Sequence, residues 1–236
     1  MAIIPIASCD REDAWDFVKT RGESVVEHKT LDVFNRIIVN NGINVVLNHG
    51  NTHSAVIEGW KNLMPKIILS VDNDGTLVIE DTNRFNFVRN PDNMTTVHLT
   101  YTGELNTVEL SGNGNITSVD TMIVSSLAIL CWGASGDVNL NVKTESVYIG
   151  TFDNVAPVTV GGFANSVGII NWGYNPYYLS GLETYYADIH HHGPTNVYVN
   201  ASESLSVVVY GTGNVYYIGN PEITFTRKGK GNLLKY

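Results

Sequence analysis

A step from a turn residue to an apolar one recurs through the second half of the chain. It falls at Asn115-Ile116, Asp137-Val138, Pro157-Val158, Tyr177-Tyr178, Asn196-Val197, Asn214-Val215 and Asn232-Leu233. The second members of these pairs lie 22, 20, 20, 19, 18 and 18 residues apart. A period near twenty means that each repeat is one supersecondary unit that buries its apolar face only by stacking on its neighbours. The period is too short for a propeller blade, and the Leu/Asn pattern of a leucine-rich repeat is missing. It fits three strands of roughly four or five residues with three short corners. The expectation is an all-β, parallel β-helix-like solenoid with 18–22 residues per coil.

In such a stack each strand pairs with its equivalent one coil later, so like side chains form ladders. Trp132, Phe152, Trp172, His192 and Tyr210 each precede Gly or Asp at intervals of 20, 20, 20 and 18. Stacked rings at strand spacing gain about 0.5–1.5 kcal/mol per pair. Ile129, Ile149 and Ile169 make an apolar ladder expected to face inward. Asn115, Asp137, Asn196, Asn214 and Asn232 make a corner ladder, where Asn tolerates left-handed backbone and bonds to its own backbone.

The first half is less regular. Asn40-Asn41-Gly42, between β-rich runs, marks a hairpin or tight turn, and Asp72-Asn73-Asp74-Gly75 marks a hairpin. Pro65 keeps the connection around it from becoming a long helix. Segment 84–91 closes this half. No linker rich in Pro, Gly or Ser follows, so residues 25–236 read as one solenoid domain whose N-terminal part caps the coils. An uncapped end would leave a sheet edge open to copies of the same chain, which would make a homo-oligomer. Residues 1–24 read as a tether with a lipobox remnant. Ile6-Ala7-Ser8-Cys9 followed by Asp10-Arg11-Glu12-Asp13 looks like the site at which a bacterial lipoprotein is cleaved and diacylated on Cys.

The net charge of −9, with no Lys/Arg stripe, sets nucleic acid aside. No run of 18 apolar residues exists to span a membrane as a helix, so membrane contact is expected only through a lipid anchor. Two cysteines are too few for a disulfide scaffold or a zinc site, and Cys131 reads as core. In His190-His191-His192, alternate residues of a strand face opposite ways, so the three cannot ligate one ion. No metal or other cofactor is expected. Asp137, Asp153, Glu183 and Asp188 are the acids a carbohydrate-active β-helix enzyme, a lyase or hydrolase, would use. Convergence of such carboxylates within about 5–10 Å would favour that alternative, but they do not recur in one register. Gly211-Thr212-Gly213 precedes no helix and is not a phosphate loop. Trp172, Tyr174, Tyr177, Tyr178, Tyr185 and His192, with Tyr186, crowd two coils. They are the candidate ligand-binding residues, because exposed rings stack on sugar faces or anchor protein partners. The alternative is that they are ladder and core residues.

Val39-Asn40-Asn41-Gly42-Ile43-Asn44-Val45-Val46-Leu47 contains Gly-Ile-Asn inside a strand pair. Lys61-Asn62-Leu63-Met64-Pro65 and Asp74-Gly75-Thr76-Leu77-Val78-Ile79 follow. Gly213-Asn214-Val215-Tyr216-Tyr217-Ile218-Gly219-Asn220-Pro221 and Gly229-Lys230-Gly231-Asn232-Leu233 complete the set. In this order the motifs resemble, over residues 25–236, the bacterial family called putative auto-transporter adhesin, head GIN domain, common in Bacteroidetes. The resemblance implies a right-handed β-helix-like fold on an exported, often lipid-anchored protein, and it implies no catalytic residues. It points to a non-catalytic binding or scaffold protein of the cell envelope, an adhesin tethered to the outer membrane through Cys9. The partner would be a cell-surface glycan or an envelope protein.

Overall fold

The structure is a computed structural model and describes residues 22–83 and 94–236. Cys9, most of the tether and segment 84–91 lie outside the described residues. The first strands are β1 (Ser24–Thr30), β2 (Arg36–Asn40), β3 (Ile43–His49), β4 (Ser54–Trp60), β5 (Ile67–Val71) and β6 (Thr76–Asp81). There follow β7 (Thr95–Tyr101), β8 (Thr107–Ser111), β9 (Ile116–Ser118), β10 (Met122–Ile123) and β11 (Ser126–Trp132). Four long strands carry the regular coils: β12 (Val138–Phe152), β13 (Val158–Trp172), β14 (Tyr177–His191) and β15 (Val197–Val209). The chain ends with β16 (Val215–Ile218), β17 (Glu222–Arg227) and β18 (Leu233–Lys235). Together they form a β-solenoid of about six turns with a less regular N-terminal portion.

The long strands correct the expectation of three strands and three corners per coil. In β12 the inward positions, all buried, run Val138, Leu140, Val142, Thr144 and then Val147, Ile149, Thr151. The alternation slips by one residue between Thr144 and Val147. The strand therefore bends and carries its inward side round the corner with no turn residue. Each coil thus has two strand faces joined at a bend, and its third side is a loop. Sheet one runs β1-β4-β7-β3-β9, then the first halves of β12 to β15, then β16 and β18. Sheet two runs β5-β6-β2-β8-β11, then the second halves of β12 to β15, then β17. The third-side loops also join coil to coil, for example Tyr174 N–H to the Asn154 carbonyl at 2.7 Å and Lys230 N–H to the Gly211 carbonyl at 2.9 Å.

Pairing is parallel from coil to coil and antiparallel where β1 and β4 close sheet one and β5 closes sheet two. Asp72–Gly75 makes the expected hairpin between β5 and β6. At Asn40-Asn41-Gly42 the tight turn is the outcome, with Asn41 at φ 63° forming a corner and not a hairpin, because β2 and β3 pair within different sheets. At the other end, the last coil carries Arg227 and Lys235 at inward positions, in register with Val209 and Tyr217. They bond to Asn232 at 3.0 Å and Asn220 at 2.6 Å. Inward charges on an edge strand hinder the addition of a further strand.

The apolar ladder is present in register as Ile129, Ile149 and Ile169 and extends to Ile189, all buried. The Asn ladder works differently from the expectation. Positive φ among non-glycine residues occurs at Asn41 and Asp153, not at the ladder positions. Three of the ladder side chains, Asn115, Asn196 and Asn214, instead accept from the backbone N–H of the next coil. Asn115 Oδ1 accepts from Asp137 N at 2.8 Å, Asn196 Oδ1 from Asn214 N at 3.1 Å, and Asn214 Oδ1 from Asn232 N at 2.9 Å. The amides satisfy corner donors that the sheets cannot reach.

Candidate binding surface

In sheet two, alternate residues of the strands face solvent. From β11 to β15 they are Ser, Ala, Gly, aliphatic and aromatic residues with Asp188 as the single formal charge. At the end of each strand stands a ring, in register as expected. The rings form two stacks, Trp132 on Phe152 (4.3 Å, 10°) and Trp172 on His192 on Tyr210 (3.7 Å, 13°, then 4.1 Å, 5°). Lys228 Nζ lies 4.8 Å above the Tyr210 ring and extends the row with a cation. Beside the rings runs a second row, Leu130, Gly150, Ile170, His190 and Val208. Tyr148 folds down over Gly150, where an added Cβ would lie 3.2 Å from its ring. Trp132 and Trp172 remain 46% and 54% exposed. Five strands at about 4.8 Å spacing make a face on the order of 20 Å across. The face ends in charge on both sides, at the Arg36–Glu109 ion pair toward β2 and at Glu222 on β17 and Lys228 just after it. The exposed edges of stacked rings, level with aliphatic side chains, give a flat surface that suits a partner more than a cleft ligand.

The structure disperses the six residues singled out in the sequence. Trp172 and His192 lie on this face. Tyr174 is at the tip of a third-side loop, and Tyr178 is on the outer face of sheet one, stacked on Tyr198 at 5.6 Å. Tyr185 sits at the bend beside Tyr186 (6.4 Å). Tyr177 is fully buried and is corrected from ligand candidate to core residue. It pairs with Val158 and Val197, so the inward step of that coil is at Tyr177 and not at Tyr178. A one-residue slip in register exchanges core and surface. Trp132, Tyr148 and Tyr210 belong to the face and were not singled out as binding residues. The signal that would have found them is the missing charge at outward positions repeated every twenty residues.

Inside the solenoid a polar row replaces the apolar one. Thr151, Asn171 and His191 stand in register between Cys131 and Val209. Thr151 Oγ1 bonds to the Tyr177 hydroxyl, and Asn171 Oδ1 accepts from Gly173 N–H at 2.7 Å. His191 Nε2–H donates to the Thr195 carbonyl at 2.7 Å, which leaves Nδ1 to accept from Asn171 Nδ2 at 3.1 Å. Burial pushes the His191 pKa below its ordinary value, so the ring is neutral. Burial also pushes the Tyr177 hydroxyl upward and the Cys131 thiol up to about 12, which makes that thiol inert. These groups are structural.

His191 points inward while His190 and His192 face out, as the strand alternation requires. His190 Nε2 lies 3.7 Å from Asp188 Oδ2. Among the described residues no three His, Cys, Asp or Glu side chains gather in a way that could hold a metal ion. The four acids fall at different places in the coil. Asp137 and Asp153 are on third-side corners, Glu183 is at the bend, and Asp188 is in the middle of sheet two.

Fold and surface together define a β-solenoid with a flat, charge-poor, ring-bearing outer face on sheet two. The chain belongs to the family described as putative auto-transporter adhesin, head GIN domain, which it matches over residues 33–221. Solved structures share the fold. A putative adhesin from Bacteroides fragilis superposes with a TM-score of 0.82 at 20% identity, covering 91% of this chain and 97% of the other. A putative adhesin from Parabacteroides merdae (0.66, 17%) and a putative lipid binding protein from Parabacteroides distasonis (0.66, 18%) have the same two coverages. Nothing among the curated proteins matches the sequence.

Proposed function

We propose that the protein is a non-catalytic binding protein of the cell envelope that makes contact through the outer face of sheet two. The observation that carries this reading is the sheet face with Asp188 as its single formal charge, rimmed by charge and studded with half-exposed Trp132 and Trp172. Interfaces are enriched in Trp and Tyr and depleted of charge at their centres, and buried aromatic anchors supply most of the affinity. Stacking covers at least one face of every ring in the row and both faces of His192 and Tyr210, which leaves little of the free ring face that a stacked sugar needs. A protein surface is therefore the partner that this face fits. Family membership supports a surface or envelope location. The lipobox-like Cys9 supports an anchor in the outer membrane.

The contact face is tested with the double variant Trp132→Ala/Trp172→Ala of the soluble domain, binding to intact cells and purified envelopes followed by flow cytometry. Binding is expected to fall at least ~10-fold, as for central aromatic anchors, while stability falls by only about 1 kcal/mol for each lost ring stack. Undiminished binding by a folded variant would remove the face from the account. The anchor is tested separately. An alkyne-tagged fatty acid should label the full-length native protein and leave its Cys9→Ala variant unlabelled, and equal labelling would dismiss the anchor.

A further inference from the structure

A second surface, at the bend between the sheets, has the opposite ring geometry. There each coil places one outward residue on either side of a small buried one (Thr144, Ala164, Thr184 and Ala201). Small residues at the bottom and longer ones on the banks make a trough that crosses the coils parallel to the solenoid axis. Two adjoining hollows of about 390 and 330 Å³ lie in it and share Phe163. The row Ile123, Lys143, Phe163, Glu183 and Asn200 forms one bank in register. Four steps at about 4.8 Å give it a length of roughly 19 Å.

Three features separate this trough from a corner that only closes the coil. First, Phe163 and Tyr185 meet edge to face (5.4 Å, 79°), as do Tyr185 and Tyr186 (6.4 Å, 67°), so neither pair closes two ring faces against each other as the ladder stacks do. Second, the β13–β14 and β14–β15 pairings shift register around Gly162 and Glu183, whereas β12 and β13 pair at one constant offset along their whole length. Gly162 sits at φ +100°, where an added Cβ would lie 2.1 Å from the Val142 carbonyl, so no other residue fits. Bulges of this kind re-aim side chains and cluster beside functional sites. Third, the banks carry the groups that bind hydroxyls. The carboxylates are Glu104, Glu145 and Glu183, and the amides are Asn165 and Asn200. Glu104 Oε2 is held in place by Ser125 N–H at 2.8 Å and Ser125 Oγ at 3.1 Å.

We propose that this trough binds a linear, uncharged glycan. Unstacked ring faces take the C–H face of a pyranose, and carboxylates and amides exchange hydrogen bonds with its hydroxyls. Three carboxylates against the ammonium of Lys143, on a chain of net charge −9, repel uronate, sulfate and phosphate polymers. The inference is independent of the sheet-two face and involves other residues.

The test is calorimetric titration of the soluble domain with neutral oligosaccharides of about four to six units (cello-, manno-, xylo- and malto-series). Polygalacturonate, heparin and a lysine-rich peptide serve as comparisons. One neutral series is expected to bind, with affinity rising with chain length until the ~19 Å trough is filled. Phe163→Ala and Tyr185→Ala should each weaken it at least ~10-fold, and Glu183→Gln should weaken it less. Trp132→Ala/Trp172→Ala should leave it unchanged. No binding of any neutral series, binding only of the anionic polymers or the peptide, or full affinity in folded Phe163→Ala would each overturn the proposal. Glycan binding lost in the Trp variant instead would move the site to sheet two. Failure here leaves the cell-binding test of sheet two unaffected.

Discussion

Gly213→Ala is expected to destabilise the protein by more than about 3 kcal/mol, at the severe end for a single substitution. Gly213 lies on the third side, where successive loops approach so closely that backbone meets backbone. Its N–H bonds to the Gly193 carbonyl at 3.2 Å. A Cβ would stand 1.8 Å from the Thr195 carbonyl oxygen and 2.5 Å from His191 Nε2. The first is main chain that cannot move without breaking its coil, and the second belongs to the buried polar row. The strain would therefore propagate into both neighbouring coils. Gly103 is the control. It needs φ +71°, but nothing lies within 4 Å of an added Cβ, so Gly103→Ala should cost only about 1 kcal/mol, the price of left-handed backbone. Urea unfolding of the two variants measures the difference, and a Gly213→Ala midpoint equal to wild type would refute the close coil approach.

His191→Ala is expected to cost about 2–5 kcal/mol, because it strands the Asn171 amide and the Thr195 carbonyl without partners in the interior. The same histidine makes stability depend on pH. Its folded pKa is held below the unfolded value of 6.5 by burial. Below pH 6.5 the unfolded chain takes up a proton that folded His191 refuses, so stability falls with acidification from about 6.5 down to the lowered folded value. Above 6.5 this contribution is constant. His53 and His192 are lowered by burial as well and add loss in the same direction. Denaturant unfolding at pH 8 and pH 5 should show a smaller acid-induced loss in His191→Ala than in wild type. Identical losses would mean that His191 is protonated in the folded state.

The period and the ladders were legible because a solenoid repeats its environment. Trp132 and Phe152 occupy one position in the coil, so their spacing alone placed them side by side. The bend was not legible. Turn chemistry announces itself through Gly, Asn and Pro, whereas the corner after Thr144 is made by a one-residue slip in apolar alternation within a continuous strand. The same single-residue sensitivity misplaced Tyr177. Two adjacent tyrosines both satisfy an apolar position, and only pairing with Val158 and Val197 decides which enters the core. Crowding along the chain likewise did not show which residues share a surface, because a coil of twenty residues sends neighbours such as Tyr174, Tyr178 and Tyr185 to different sides of the solenoid. Phe163 gave no signal of its own. Its setting depends on the bulge at Gly162, a close approach between coils that sequence spacing does not reveal.

The most direct test of the contact face is photo-crosslinking in the native envelope, with a benzophenone amino acid placed at Trp172 on sheet two or at Val26 on the N-terminal strand β1. Both positions are exposed, so both probes reach solvent equally. The account predicts a discrete crosslinked protein adduct from position 172 that is absent from position 26. Adducts of equal yield from both positions, or none from 172, would contradict it.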